Sequence, residues 1–192
     1  MSELRPAVFL DRDGTIIEER GYLDRLALLE LYPFTCDAIR LLNRAGYATV
    51  VVTNQGGIGR GIIDEPFLRL VHSTIDARLA AGRVRVDGYY FCPHHPDAVT
   101  PELRAKCTCR KPASGLIEQA CRDLSLDARR SVMVGDRRLD VLCGQGAGMR
   151  TVLVRTGHGA HEEAMPRGAA RPDAILNNLM EAVGWILRTP SP

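Results

Sequence analysis

Val8-Phe9-Leu10-Asp11-Arg12-Asp13-Gly14-Thr15 is the stretch on which the reading of this chain turns. Apolar β-formers run straight into two aspartates one residue apart, then a glycine and a threonine. Alternate residues of a strand point to the same side, so Asp11 and Asp13 project together from the strand's carboxyl end. Gly14 lets the backbone turn sharply behind them. In an open α/β sheet that edge is where ligands bind. A carboxylate pair there suits a hard cation such as Mg²⁺, and one member can attack phosphorus as a covalent nucleophile. Taken alone, the stretch reads equally well as a solvated Asp-rich turn.

Outward from it, apolar runs alternate with helical stripes. Residues 7–10 are the first buried strand, and 16–31 form an irregular excursion around Gly21-Tyr22, either a flap or a loop with a short helix. A helix is expected over 35–44, stopped at Gly46. A strand over 48–52 ends in Thr53-Asn54-Gln55-Gly56-Gly57, whose hydroxyl, amide and glycine N–H donors suit a phosphate or an ordinary polar turn. Then come a helix from 64 or 65 to 80, a strand over 86–91, and a helix over 115–122 capped by Ser114. A strand over 131–134 ends in Gly135-Asp136-Arg137-Arg138-Leu139-Asp140, another acidic exit. A helix over 139–147, a strand over 151–154, a loop over 157–171, a strand over 173–176 and a helix over 178–187 complete the pattern. The tail 188–192 is expected to fray. Strands alternating with helices predict an α/β fold with a mainly parallel sheet and right-handed crossovers.

The bulk properties agree. A chain of 192 residues, 45% hydrophobic and 25% charged, reads as one globular domain able to bury its own core. A net charge of +2 with 5% aromatic residues speaks against a nucleic-acid surface. Residues 1–6 carry no apolar run resembling a signal peptide, and no stretch approaches the ~20 apolar residues that span a bilayer. The expectation is a cytoplasmic monomer acting on a small molecule.

Six cysteines in such a chain favour metal or thiol roles over disulfides. Cys92-Pro93-His94-His95-Pro96 and Cys107-Thr108-Cys109 bracket a polar, Pro-containing loop with no apolar core of its own. Cys92, His94, Cys107 and Cys109 would make one closed Cys₃His zinc site that holds shape and does not catalyse, with His95 able to replace His94. Arg110-Lys111-Pro112 follows directly, and cations pinned beside a metal knot can be aimed at phosphate groups. A zinc-stabilised binding module without turnover is the competing reading.

Four signals fall in order at strand exits or helix starts: Asp11-Arg12-Asp13-Gly14-Thr15, Thr53-Asn54, Lys111, and Gly135-Asp136 with Asp140. In this the chain resembles the haloacid dehalogenase (HAD) superfamily of phosphohydrolases, which implies a three-layer Rossmann-like fold. With Gly21-Tyr22, Asn54-Gln55, Cys-Pro-His-His-Pro and Cys-x-Cys-Arg-Lys-Pro added, it is similar over residues 6–187 to the D-glycero-D-manno-heptose 1,7-bisphosphate 7-phosphatase family, whose cap is minimal. The family's role is in ADP-heptose and lipopolysaccharide precursor synthesis, and histidinol-phosphate phosphatases share its motifs and zinc loop. The resemblance implies that Asp11 attacks phosphorus and that Asp13 protonates the leaving oxygen, then activates water. It implies that Thr53 and Lys111 stabilise the phosphoryl oxygens. Mg²⁺ would be held by Asp11, Asp136 and the Asp13 carbonyl. Arg110 and Arg137 would grip the second phosphate, with Glu19, Arg20, Gly21, Tyr22, Asn54, Gln55 and Gly56 around the sugar. Many relatives have Ser where this chain has Gly56.

Overall fold

The computed structural model describes residues 4–104, 106–165 and 168–189. Six strands, β1 (Arg5–Leu10), β2 (Ala48–Asn54), β3 (Gly88–Cys92), β4 (Leu126–Gly135), β5 (Arg150–Val154) and β6 (Ala174–Leu176), form one sheet in the order β3-β2-β1-β4-β5-β6. Every pairing is parallel. Such a sheet must be covered on both faces, which is why its strands are apolar at successive positions.

The two faces separate cleanly along β1. Val8 and Leu10 pack with α1 (Thr35–Arg44), α3 (Glu65–Ala80) and α7 (Leu179–Arg188), through residues such as Ile39, Ile75 and Val183. Ala7 and Phe9 face α4 (Gly115–Leu124) and α5 (Arg138–Gly146), through Leu116, Ile117 and Cys143. Strand order runs outward from β1 to β3 on one side, then restarts at β4 on the other. The chain therefore changes direction between β1 and β4, and the crevice beyond their carboxyl ends is the expected ligand site.

Most elements fall where the sequence places them, and the differences have physical causes. Strand β4 begins at Leu126, five residues before the expected start, because Leu126 and Asp127 pair with Arg5 and Pro6 across a register shift. Residues 157–171 are not all loop: Gly159–Ala164 is a short helix, α6. Ser114 sits at the N-cap of α4 without capping it; its hydroxyl donates to Glu118 Oε1 at 2.6 Å. The turn after β2 closes into a four-residue helix, α2 (Gly56–Gly59). The excursion over 16–31 is tied down at its base, where Glu18 N donates to the Glu30 carbonyl at 2.9 Å and Ile16, Ile17 and Leu29 are buried. It contains one 3₁₀ turn, Leu26–Leu28. Of the tail expected to fray, residues 190–192 lie outside the described residues.

Candidate active site

The strand exits converge as their sequence positions demand. Asp11 leaves β1 and its amide still pairs with the Val134 carbonyl of β4 at 2.9 Å. Asp136 follows β4, and Lys111 comes from the loop after β3. Lys111 Nζ lies 2.8 Å from Asp11 Oδ1 and 2.6 Å from Asp140 Oδ1, and donates to the Val52 carbonyl at 2.9 Å. Its side chain is 1% exposed. Burial opposes its charge, but the Asp11 and Asp140 carboxylates outweigh that and hold the ammonium well above lysine's ordinary value. The lysine is a permanent cation at the floor of the site.

Acidic groups outnumber it. Oxygens of Asp11, Asp136 and Asp140 all lie within 4.8 Å of one another. Burial and repulsion from Asp140 and Asp13, against the pull of Lys111, leave the Asp11 carboxyl pushed up to about 6. Asp136, buried beside Asp11 and Asp140, is pushed up to about 8. Its Oδ2 accepts from the His158 amide at 2.8 Å, while Oδ1 is buried with no hydrogen-bond partner among the described residues. Three buried carboxylates facing one lysine, one of them with an orphaned oxygen, fit a hard divalent cation. The approach is close: Gly14 has φ +77°, and a Cβ built there would lie 2.2 Å from Asp136 Oδ2.

Neighbouring side chains hold this arrangement from behind. Asn54 clamps the Lys111 backbone from both sides, donating to its carbonyl at 3.1 Å and accepting from its amide at 3.0 Å. Gln55 Nε2 spans Asp13 Oδ2 at 3.0 Å and Thr53 Oγ1 at 2.8 Å. Both side-chain amides are thus engaged within the cluster, with Lys111, Asp13 and Thr53. Asp140 accepts from the Arg137 amide at 3.0 Å, which ties the start of α5 to Lys111. Sequence reasoning marked Asp140 as a signal but gave it no place in the site. The signal was its position one helical turn after Asp136, where only an inward-facing carboxylate can reach a buried lysine.

Around this floor opens a cavity of about 440 Å³ lined by Asp11, Asp13, Thr53, Lys111, Arg110 and Arg137. Glu19, Gly21 and Tyr22 of the excursion, with Asn54 to Gly57, form its walls. Arg20 is elsewhere, pairing with Glu18 and with Glu30 at 3.0 Å. A Cβ at Gly56 would lie 2.8 Å from His95 Cδ2, so in this chain the imidazole occupies the space a serine side chain would need.

The second cluster lies one loop away. Cys92 Sγ is 3.7 Å from Cys107 Sγ and 3.2 Å from Cys109 Sγ, with His94 Nδ1 at 3.5 and 3.3 Å from Cys92 and Cys109. These separations are far above the ~2.05 Å of a disulfide. They approach the roughly 3.6–3.8 Å edges of a tetrahedron built on Zn–S and Zn–N bonds. His94 supplies the nitrogen. His95 turns the other way, accepting from the Asp97 amide through Nδ1 at 3.0 Å and lining the cavity. Arg110 links the two regions, donating to the His94 carbonyl at 2.8 Å.

A carboxylate pair after β1, a buried lysine and a second carboxylate at the sheet's switch point make this a phosphomonoester hydrolase of the HAD type. The comparisons agree: residues 108–182 match the HAD-hydrolase-like family model. The chain is 42% identical over 183 residues to D-glycero-β-D-manno-heptose-1,7-bisphosphate 7-phosphatase of Yersinia pestis, covering 94% of this chain and 95% of that one. It is 39% identical to the Escherichia coli K12 protein of the same name, covering 100% and 99%. Among solved structures, D,D-heptose 1,7-bisphosphate phosphatase from B. bronchiseptica, complexed with magnesium and phosphate, superposes with a TM-score of 0.84 at 28% identity, covering 95% of this chain and 98% of that one. The chain belongs to the D-glycero-β-D-manno-heptose-1,7-bisphosphate 7-phosphatase family.

Proposed function

We propose that this protein removes the C7 phosphate of D-glycero-β-D-manno-heptose 1,7-bisphosphate, on the route to ADP-heptose. The observation that carries the reading is the division of one cavity: Asp11 and Lys111 on its floor suit the phosphate to be cut, while Arg110 and Arg137 also line it and suit one to be held. The relatives' names add the sugar and its anomer. Asp11 attacks phosphorus in line with the departing sugar oxygen, forming an aspartyl-phosphate. Asp13 protonates that oxygen, then takes a proton from the water that hydrolyses the intermediate. Lys111 and Thr53 stabilise the charge on the phosphoryl oxygens. Asp11, Asp136 and the Asp13 carbonyl would hold Mg²⁺, which would supply positive charge beside the transferring group. The sugar lies against Glu19, Gly21, Tyr22 and the glycine turn at Gly56. The protein is proposed to work as a cytoplasmic monomer. No helix among the described residues is long and apolar enough to cross a membrane.

The test is kcat/KM for phosphate release with Mg²⁺ on both anomers of heptose 1,7-bisphosphate and on histidinol phosphate. A preference of about a hundredfold or more for the β-anomer is expected, about 2.7 kcal/mol of differential transition-state binding. Preference for histidinol phosphate would leave the fold and nucleophile standing and remove the substrate assignment.

Mg²⁺ binding should carry a proton signature. With Asp136 raised to about 8 and Asp11 to about 6, the metal-free site holds roughly one proton at pH 7, which the cation must displace. Raised carboxyl pKa values mean the folded state binds more protons than the unfolded one. Metal-free stability therefore falls as pH rises from the unfolded value near 4 toward 8, and Mg²⁺ affinity rises over pH 6 to 8. Calorimetric titration in two buffers of different ionisation enthalpy checks this; equal heats at pH 7 would contradict the assigned ligands.

Zinc is assigned to Cys92, His94, Cys107 and Cys109 as a closed structural site. The purified protein should contain about one zinc per chain. Cys109→Ser should lose it, lower the melting temperature, and reduce kcat/KM by loosening Arg110 and Lys111, the next two residues. Retained stability after zinc loss would refute the structural role.

A further inference from the structure

We infer that Arg12 is the positioning residue for Asp13, fixing the plane and direction of the carboxyl that exchanges a proton with the reacting oxygens. The inference rests on the assignment of Asp13 as general acid and base. Arg12 is 1% exposed, a rare condition for arginine unless it is paired. Its Nε donates to Asp13 Oδ2 at 3.1 Å and its Nη2 to Asp13 Oδ1 at 2.9 Å, a two-pronged grip that fixes the carboxylate plane. Its own amide donates to Asp11 Oδ1 at 2.7 Å. One residue therefore sets the orientation of both catalytic carboxyl groups.

The donors on Asp13 are unequal. Oδ2 accepts from Arg12 Nε and from Gln55 Nε2, whereas Oδ1 accepts only from Arg12 Nη2 among the described residues. Asp13 is thus held at both oxygens, and its carboxyl plane cannot turn without breaking one of these contacts. Among the described residues the Arg12 side chain pairs with no carboxylate but Asp13; His72, which stacks on Tyr89 with ring centroids 4.4 Å apart, is held neutral by burial and by the Arg12 cation itself. Arg12 Nη1 has no hydrogen-bond partner among the described residues. An arginine buried with one donor unmet is costly to the fold. Its one structural return is the fixed Asp13.

The chemistry then has a defined proton path. An Asp11 oxygen bonds to phosphorus as the phosphorus–sugar oxygen bond breaks, and the Asp13 carboxyl proton passes to the departing oxygen. A water oxygen next bonds to phosphorus, one of its protons returns to the Asp13 carboxylate, and the Asp11–phosphorus bond breaks to release phosphate. A displaced Asp13 slows both proton transfers.

Leaving-group dependence tests this. p-Nitrophenolate departs without needing a proton, whereas a sugar alkoxide does not. The Mg²⁺-loaded full-length protein, its Arg12→Lys and Arg12→Met variants, and Asp13→Asn as reference are compared by rapid quench. The substrates are p-nitrophenyl phosphate and whichever sugar or histidinol phosphate turned over fastest above. In the Arg12 variants, phosphorylation of Asp11 by the alkyl phosphate should fall about 100-fold. With p-nitrophenyl phosphate it should fall less than about threefold, and a burst of nitrophenolate should appear as hydrolysis of the intermediate slows. Equal losses on both substrates, no loss, or failure of both variants to fold would each overturn the inference. If Asp13→Asn shows the leaving-group signature and Arg12→Lys does not, the acid–base assignment stands and the Arg12 role falls. If Asp13→Asn lacks it, both fall.

Discussion

Asp11→Asn is expected to lower kcat on the order of 10⁴-fold or more while leaving the metal-free protein at least as stable as its parent. The loss follows from chemistry: an amide oxygen cannot form the aspartyl-phosphate. The stability follows from electrostatics. Burial, with Asp140 and Asp13 nearby, already pushes the Asp11 carboxyl up to about 6, so at neutral pH its charge is held at a cost. Asparagine keeps the shape and removes one negative charge from a cluster whose oxygens lie within 4.8 Å of one another. Lys111 retains Asp140 at 2.6 Å as counter-ion. Phosphate release with Mg²⁺ and melting in EDTA at pH 7 read the two effects separately. Full activity would end the covalent route. A melting temperature lower by more than about 5 °C, beyond 1 kcal/mol for a chain of this length, would mean Asp11 serves stability as well as chemistry.

What could be read in advance divides along a physical line. Strands buried on both faces announce themselves as apolar runs, and Asp11, Asp136 and Thr53 could be placed because each lies at or just beyond the end of such a run. The backbone, through local periodicity, carried that information. Arg12 carried none of it. An arginine between two aspartates carries no local sign of burial, and its 1% exposure belongs to the folded chain alone. Asn54 and Gln55 read locally as donors to a phosphate or as a polar turn, and only the family resemblance sets them around the sugar. Only the folded chain brings Asn54 against Lys111, 57 residues on, and Gln55 against Asp13, 42 residues back. The first half of β4 was illegible for a related reason: Leu126-Asp127-Ala128-Arg129-Arg130 is polar, and it is a strand because Arg5 and Pro6 offer it an edge.

The Cys/His cluster and the floor of the cavity are best understood as one construction. Cys109, Arg110 and Lys111 are consecutive, so whatever fixes the Cys109 sulfur fixes the start of the segment that delivers the lysine. Asn54 fixes that segment again at the Lys111 backbone, and the Val52 carbonyl fixes the ammonium. A lysine has four rotatable side-chain bonds, and constraint at both ends is what makes it a preorganised charge and not a wandering one.

Lys111→Met therefore should be the most damaging single change to the fold among the site residues, and costly to catalysis as well. Methionine fills nearly the same volume, so packing survives while the charge goes. Asp11 and Asp140 then lose their shared cation inside the protein, and removing one partner of a buried ionic group costs about 3–5 kcal/mol. The carboxylates have an escape, because they can take up protons. The destabilisation should accordingly be largest near pH 8, where protonating them is hardest, and smaller near pH 5.5. That is the opposite of the acid weakening seen when an exposed salt bridge is broken. Saturating Mg²⁺ should recover part of the stability, since it supplies the missing positive charge. It should recover little of the activity: losing a fixed donor to the phosphoryl oxygens costs on the order of 10²–10³ in kcat. Urea unfolding in EDTA at the two pH values, repeated with Mg²⁺, decides the matter. A variant equally stable at both would show that Asp11 and Asp140 are solvated enough to do without the lysine, and the buried ion triad would lose its standing as the organiser of the site.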